Sequence, residues 1–181
     1  MKKINPMTPK VLLLDVDGVF TDGKFVYTAE GKVSKTFGPD DNDALTLLKG
    51  KLKIEAVSGD KRGFPITQKR IEEDMGLPLS LVSTFERTKW IRDRFNPQEV
   101  IYMGDGLFDP LVFAVVGYSI APANAFYKTK EAADFVTQAK GGEGAVAEAC
   151  FHILETFFEP VDFSKISFED GSGVWSKSEN A

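Results

Sequence analysis

Hydrophobic and polar positions alternate along this chain in short blocks whose periods change from two to about 3.6 and back. Val11 to Leu14 is an unbroken apolar run of the length of a fully buried strand, closed by Asp15, Asp17 and the strand-breaking Gly18. Lys24 to Phe37 places Phe25 and Tyr27 two apart. It turns at Glu30-Gly31 and resumes with Val33, Lys35 and Phe37, the pattern of a β-hairpin. Asp40 to Lys49 offers acidic residues and Asn where a helix starts, then Ala44, Leu45, Leu47 and Leu48 on one face, with Gly50 to stop it. Further on, strands are predicted at 54–57, 79–82, 99–103, 115–121 and 132–137, and helices at 66–75, 86–95 and 144–158. Short strands alternating with helices imply crossover connections. The fold class is therefore α/β: a Rossmann-like, mostly parallel sheet flanked by helices, with a hairpin flap and no large cap domain. Residues 1–158 read as one domain. The tail from Glu159 to Ala181, with Pro160, Gly171, Gly173, Phe163, Phe168 and Trp175, reads as disordered or as docking on a neighbouring subunit.

The ends of these strands carry the reactive side chains. In open α/β sheets, ligands bind outside the carboxyl ends of the strands, which is where Asp15 and Asp17 fall. One carboxylate there can attack phosphorus to give an aspartyl-phosphate. The other can handle the proton of the leaving oxygen. A dianionic phosphate approaches two carboxylates only with a divalent cation between them. Ser58-Gly59, closing the second core strand, supplies a hydroxyl and an accessible amide for phosphoryl oxygens.

Bulk properties narrow the classes. A chain of 181 residues with 43% hydrophobic and 27% charged positions is an ordinary globular composition. Net charge is -5, which argues against a nucleic-acid surface and calls for local positive charge if the substrate is itself anionic. The single cysteine, Cys150, excludes an intramolecular disulfide and sits in an apolar helical pattern. The single histidine, His152, falls in the same helix and reads as a packing residue. With no long apolar span and no signal-peptide core, a cytoplasmic location is expected, with no membrane partner.

The stretch DVDGVFTDG, residues 15–23, resembles the first motif of the haloacid dehalogenase superfamily, and in particular its capless sugar-acid phosphatases, the octulosonate 8-phosphate phosphatase type. The phosphatase-like domain of acylneuraminate cytidylyltransferases is similar. Gly104 to Asp109, GDGLFD, resembles the superfamily's last motif, and KGGEGAVAE at 140–148 resembles the segment before its last helix. The resemblance runs from about Val11 to His152. It implies that Asp15 is the nucleophile and Asp17 the acid and base. It further implies that Mg2+ is held by the Asp15 and Asp105 side chains and the Asp17 carbonyl, with Asp109 in support. A lysine is expected at the start of the helix after the third strand, which is Lys89; Arg87 and Lys61 stand nearby. Lys89 would bind phosphate together with Ser58 and Gly59. The group's hairpin packs subunits, so a homo-oligomer, a tetramer above others, is expected. The activity implied is hydrolysis of a sugar phosphate, a sugar-acid phosphate above others.

Two positions depart from the group's pattern. Asp40 and Asp60 stand where the octulosonate phosphatases usually carry arginines that suit a sugar acid's carboxylate. Lys61 and Arg62 are the sequence neighbours able to compensate. These replacements leave a second reading open, a catalytically silent oligomerisation domain. A phosphoacceptor receiver domain is a third, disfavoured because its acidic pair precedes the acceptor strand.

Overall fold

The computed structural model describes residues 7–165. A six-stranded sheet has the order β5-β4-β1-β6-β7-β8, with every neighbouring pair parallel. These strands are β1 (Val11–Asp15), β4 (Lys53–Ser58), β5 (Leu79–Leu81), β6 (Val100–Met103), β7 (Tyr118–Ala121) and β8 (Phe135–Val136). A separate antiparallel hairpin, β2 (Val26–Thr28) and β3 (Gly31–Ser34), interrupts the chain between β1 and α1 (Asp40–Thr46). The remaining helices are α2 (Phe64–Gln68), continued by a π-helical turn at Lys69–Asp74, α3 (Arg87–Arg94), α4 (Pro110–Phe113), α5 (Tyr127–Ala132) and α6 (Ala145–Phe157).

β1 is the centre of the sheet because it is apolar on both faces. Leu12 and Leu14 join the core under α1 and α6, while Val11 and Leu13 join the core that includes Ile91 of α3 and Val112 of α4. Full burial of each such leucine contributes roughly 1.5–3 kcal/mol. α6 lays Val146, Ala149, Cys150, Ile153 and Leu154 against the sheet. Cys150 is fully buried, and His152 is packed, its ring stacked on Phe135 at 3.6 Å and its Nε2 2.8 Å from the Tyr118 hydroxyl.

The predicted architecture holds, with differences at its edges. The run at 115–121 forms a strand only from Tyr118, because Val115 and Val116 close the turn after α4 through bonds to the Val112 carbonyl. Residues 132–137 give a two-residue strand, since Ala132 ends α5. α4 and α5 are too short to leave a periodic signature and were not predicted. Of the tail, residues 159–165 are described and include a 3-10 turn at Phe163–Lys165, with Phe163 stacked on Phe151. The expectation for its remainder, Phe168 and Trp175 included, lies outside the described residues.

Asp41, 1% exposed, reaches from α1 to the first turn of α6 and accepts a hydrogen bond from the Ala147 amide at 3.0 Å. Its second oxygen has no partner. Burial pushes this carboxyl up to about 6 against the opposing pull of the Ala147 and Val146 amides. A folded-state value above the unfolded one means stability is lost as pH rises from about 4 through 6. Asp41→Asn keeps the acceptor and removes the charge. The variant should therefore gain on wild type by about 2 kcal/mol between pH 4 and pH 8. Thermal denaturation at both pH values checks this; parallel melting curves would refute it.

Candidate active site

In this sheet the chain proceeds outward from β1 to β4 and β5 on one side, and along β6, β7 and β8 on the other. The reversal lies between β1 and β6, and a crevice opens at the carboxyl ends of strands flanking such a reversal. Asp15 is the last residue of β1, and Asp105 follows β6 after one glycine. Parallel topology thus brings two motifs ninety positions apart in sequence to one place.

Carboxylate oxygens of Asp15, Asp105 and Asp109 lie within 4.8 Å of one another. Burial, then the charges of Asp15 and Asp109, push the Asp105 carboxyl up to about 8. Asp109, 1% exposed, is also raised, by burial first and the charge of Asp15 second. Three hard oxygen donors this close together form a set that suits a divalent cation such as Mg2+. The space is also reserved by sequence. Gly18 has φ +84°, and a Cβ there would fall 2.0 Å from Asp105 Oδ2.

The loop that carries these groups is tightly tied. The Thr21 hydroxyl accepts from the Gly18 and Gly23 amides. Asn124 donates to the Gly18 carbonyl at 3.0 Å and accepts from the Gly141 amide at 2.7 Å, which seats the Lys140-Gly141-Gly142 segment against the loop. A Cβ on Gly141 would lie 2.0 Å from the Gly18 carbonyl oxygen, so backbone approaches backbone directly.

The cation beside Asp15 is an arginine. Arg87, the first residue of α3 and 1% exposed, donates from Nη1 to Asp15 Oδ2 at 2.9 Å and to the Tyr102 hydroxyl, and lies 3.5 Å from Asp109 Oδ1. Tyr102 in turn donates to Asp109 Oδ1 at 2.9 Å. Burial opposes the guanidinium charge, but Asp15, Tyr102 and Asp109 outweigh it and raise the pKa of Arg87. Asp15 Oδ1 accepts from the Val16 amide at 2.8 Å, so both of its oxygens are oriented.

Lys89 lies apart from these groups. Its ammonium is exposed on the outer face of α3, paired with Asp93 one turn on, and takes no part in this cluster. One helical turn holds 3.6 residues, so positions 87 and 89 point about 200° apart. A burial pattern along the short polar helix ERTKWIRDRF was the signal needed to choose between them, and the sequence does not supply one.

The Asp17 carboxylate pairs with the hairpin. Lys35 Nζ is 3.0 Å from Asp17 Oδ2 and 2.7 Å from Oδ1, and Ser58 Oγ is 3.5 Å from Oδ2. Burial raises the Asp17 pKa, and Lys35 only partly offsets it. Ser58 is fully buried and accepts from the Asp60 amide, while Gly59 is exposed beside Thr84. The counter-ions of Asp60 come from the hairpin, and its sequence neighbours Lys61 and Arg62 are exposed. Asp60 pairs with Lys32 and with Lys35, the latter at 2.9 Å, and its carboxyl is held down at about 2: burial opposes the charge, but the two lysines and the Gly63 amide outweigh it. Asp40 is exposed at the start of α1.

Comparison with known proteins accords with this arrangement. Residues 91–149 match the family model for haloacid dehalogenase-like hydrolases. The 3-deoxy-D-manno-octulosonate 8-phosphate phosphatase KdsC of Haemophilus influenzae is 33% identical over 152 residues, 81% of this chain and 83% of that protein. The chain belongs to the haloacid dehalogenase-like hydrolases. It falls in their capless, KdsC-like phosphatase group, and it is a phosphatase. The solved cobalt-bound H. influenzae deoxy-D-mannose-octulosonate 8-phosphate phosphatase superposes with TM-score 0.73 at 30% identity, covering 83% of this chain and 90% of that one. The Moraxella catarrhalis 3-deoxy-D-manno-octulosonate 8-phosphate phosphatase, solved with magnesium, phosphate and KDO, gives 0.71 at 26% identity, covering 83% and 88%.

Because the crowded carboxylates repel without a counter-ion, millimolar Mg2+ should raise the melting temperature of the wild type by about 3–8 °C. Asp105→Asn relieves the repulsion. It should melt higher than wild type in chelator and lose most of the Mg2+ response, as differential scanning calorimetry will show. An equal Mg2+ shift in both proteins would place the cation elsewhere.

Proposed function

We propose that this phosphatase hydrolyses a sugar phosphate, with Mg2+ as its metal, through a phosphoenzyme formed on Asp15. The observation that carries the reading is the convergence of Asp15, Asp105 and Asp109 at the strand reversal with Arg87 locked onto Asp15. The carboxylates of Asp15 and Asp105, with the Asp17 carbonyl, are the residues that would hold the metal; Asp109 supports them by orienting Arg87 and Tyr102. When bound, the cation neutralises the phosphate and Asp15 together.

Asp15 attacks phosphorus in line, forming a phosphorus–oxygen bond as the bond to the sugar oxygen breaks. Asp17, whose raised pKa favours a bound proton, delivers that proton to the departing oxygen. In the second half Asp17 takes a proton from water, the water oxygen bonds to phosphorus, and Asp15 is released. Arg87 supplies the fixed positive charge assigned from sequence to Lys89, and as a planar donor it serves Asp15 and a phosphoryl oxygen in one plane. Ser58 and Gly59 complete the phosphate side. This is positioning and electrostatics, as phosphoryl transfer requires.

The curated relatives named above are phosphatases of a sugar-acid phosphate, which supports that substrate class here. The exposed hairpin side chains Phe25, Val26, Tyr27 and Val33 support assembly into a homotetramer, in which neighbouring subunits close the uncapped site. No helix among the described residues is long and apolar enough to cross a membrane, which fits the cytoplasmic location proposed.

With p-nitrophenyl phosphate and Mg2+, Asp15→Asn should lose activity by at least about 1,000-fold. Arg87→Met should lose about 100-fold. Lys89→Ala should remain within about twofold of wild type, as expected for an exposed i,i+4 partner. A Lys89→Ala loss matching that of Arg87→Met would restore the lysine to the site. Full activity of Asp15→Asn would end the phosphoenzyme reading.

A further inference from the structure

The hairpin is exposed along most of its length, yet one of its side chains is wholly inside the protein. Lys35, just after β3, has a fully buried side chain. An ammonium has three N–H donors, and acceptors from three residues surround this one: Asp17, with Oδ2 at 3.0 Å and Oδ1 at 2.7 Å, Asp60 Oδ2 at 2.9 Å and Thr67 Oγ1 at 2.7 Å. Its donors are therefore saturated by the protein, and a phosphoryl oxygen could be bound only by surrendering one of them. Asp60 and Thr67 are themselves fixed. Asp60 Oδ1 accepts from the Gly63 amide at 3.1 Å and its other oxygen also pairs with Lys32, whose ammonium lies 3.3 Å from the Phe25 ring centroid. Thr67 is fully buried in α2. Packing leaves no slack, since a Cβ on Gly63 would fall 2.2 Å from Asp60 and 2.9 Å from the Lys35 side chain.

The geometry points to Lys35 as a positioning residue for Asp17, with Asp60 and Thr67 as its anchors. Among the described residues, Asp17 has otherwise only the long 3.5 Å contact to Ser58 Oγ to define its side-chain direction. Without the ammonium it would also face the Asp60 carboxylate, with Lys32 as that group's remaining counter-ion. Lys35 thus aims the proton-handling carboxyl at the leaving oxygen. Asp60, which on sequence alone adds an unwanted negative charge near the phosphate, is the counter-ion that lets a lysine be buried there.

This inference rests on the role proposed for Asp17, and leaving-group dependence separates the two. The parameter kcat/KM covers steps through departure of the leaving group, so it reports proton delivery. It should be measured with Mg2+ on phenyl phosphate, whose leaving oxygen needs a proton, and on p-nitrophenyl phosphate, whose leaving oxygen does not. Lys35→Met should lower kcat/KM about 30-fold more on phenyl phosphate than on p-nitrophenyl phosphate. Lys35→Gln, which retains one donor toward Asp17, should show the same imbalance at smaller size and serves alone if the methionine variant does not fold. Lys32→Met loosens the hairpin without touching Asp17 and should leave the ratio of the two substrates at the wild-type value. Equal losses on both substrates for the Lys35 variants, or the same imbalance in Lys32→Met, would overturn the assignment and leave Lys35 a structural clamp. Asp17→Asn is the control. If it too keeps the wild-type ratio, the acid role of Asp17 itself fails; if it shifts the ratio while the Lys35 variants do not, only the present inference fails.

Discussion

Mutual repulsion among Asp15, Asp105 and Asp109 is the constraint around which this molecule is arranged. Three carboxylates whose oxygens come within 4.8 Å of one another, in a setting that strips them of water, oppose the compact state. The scaffold holds them together by other means. β1 is anchored on both faces by apolar packing, both oxygens of Asp15 are hydrogen-bonded, and Asp109 accepts from Tyr102 and from the Gly106 amide. In the function proposed above, a bound cation and phosphate would relieve this charge density.

Two cationic groups, one from α3 and one from the hairpin, pair with these aspartates. Arg87 comes from α3, where Tyr102 and Asp109 hold it against Asp15. Lys35 enters from the hairpin, where Asp60 and Thr67 hold it against Asp17. The two aspartates of the first motif, two residues apart, thus have separate cationic partners. Each partner is neutralised by a further carboxylate, and this accounts for so many charges being buried in a small volume. It also explains how a chain that is acidic overall keeps positive charge where an anionic substrate arrives.

How much of this was legible beforehand varies with the kind of signal. The sheet was legible because buried parallel strands are continuous apolar runs, and Val11–Leu14 or Val100–Met103 can be little else. The carboxylates were legible because each terminates such a run: once the strands are parallel, Asp15 and Asp105 must emerge at the same edge. α4 and α5 were not, being four and six residues long, below the length at which a helical period shows. Lys89 was chosen over Arg87 on motif position alone, and the helix phase that decides between them has no local signature in a polar segment. The long-range pairings of Asp60 with Lys32 and Lys35, and of Asp41 with the start of α6, were likewise invisible, since nothing in the local sequence around an aspartate names its partner.

The sequence by itself determined a parallel α/β layering, the strand ends at which the acidic motifs are placed, and the carboxylate identity of the groups that cluster there. These follow from periodicity and from residue type, both local properties. Tertiary structure alone decided which cation faces which carboxylate: Arg87 toward Asp15, Lys35 toward Asp17, Lys89 toward solvent. Long flexible side chains travel several ångströms from their Cα atoms, so their partners are set by which surfaces the fold brings together and which of them exclude water.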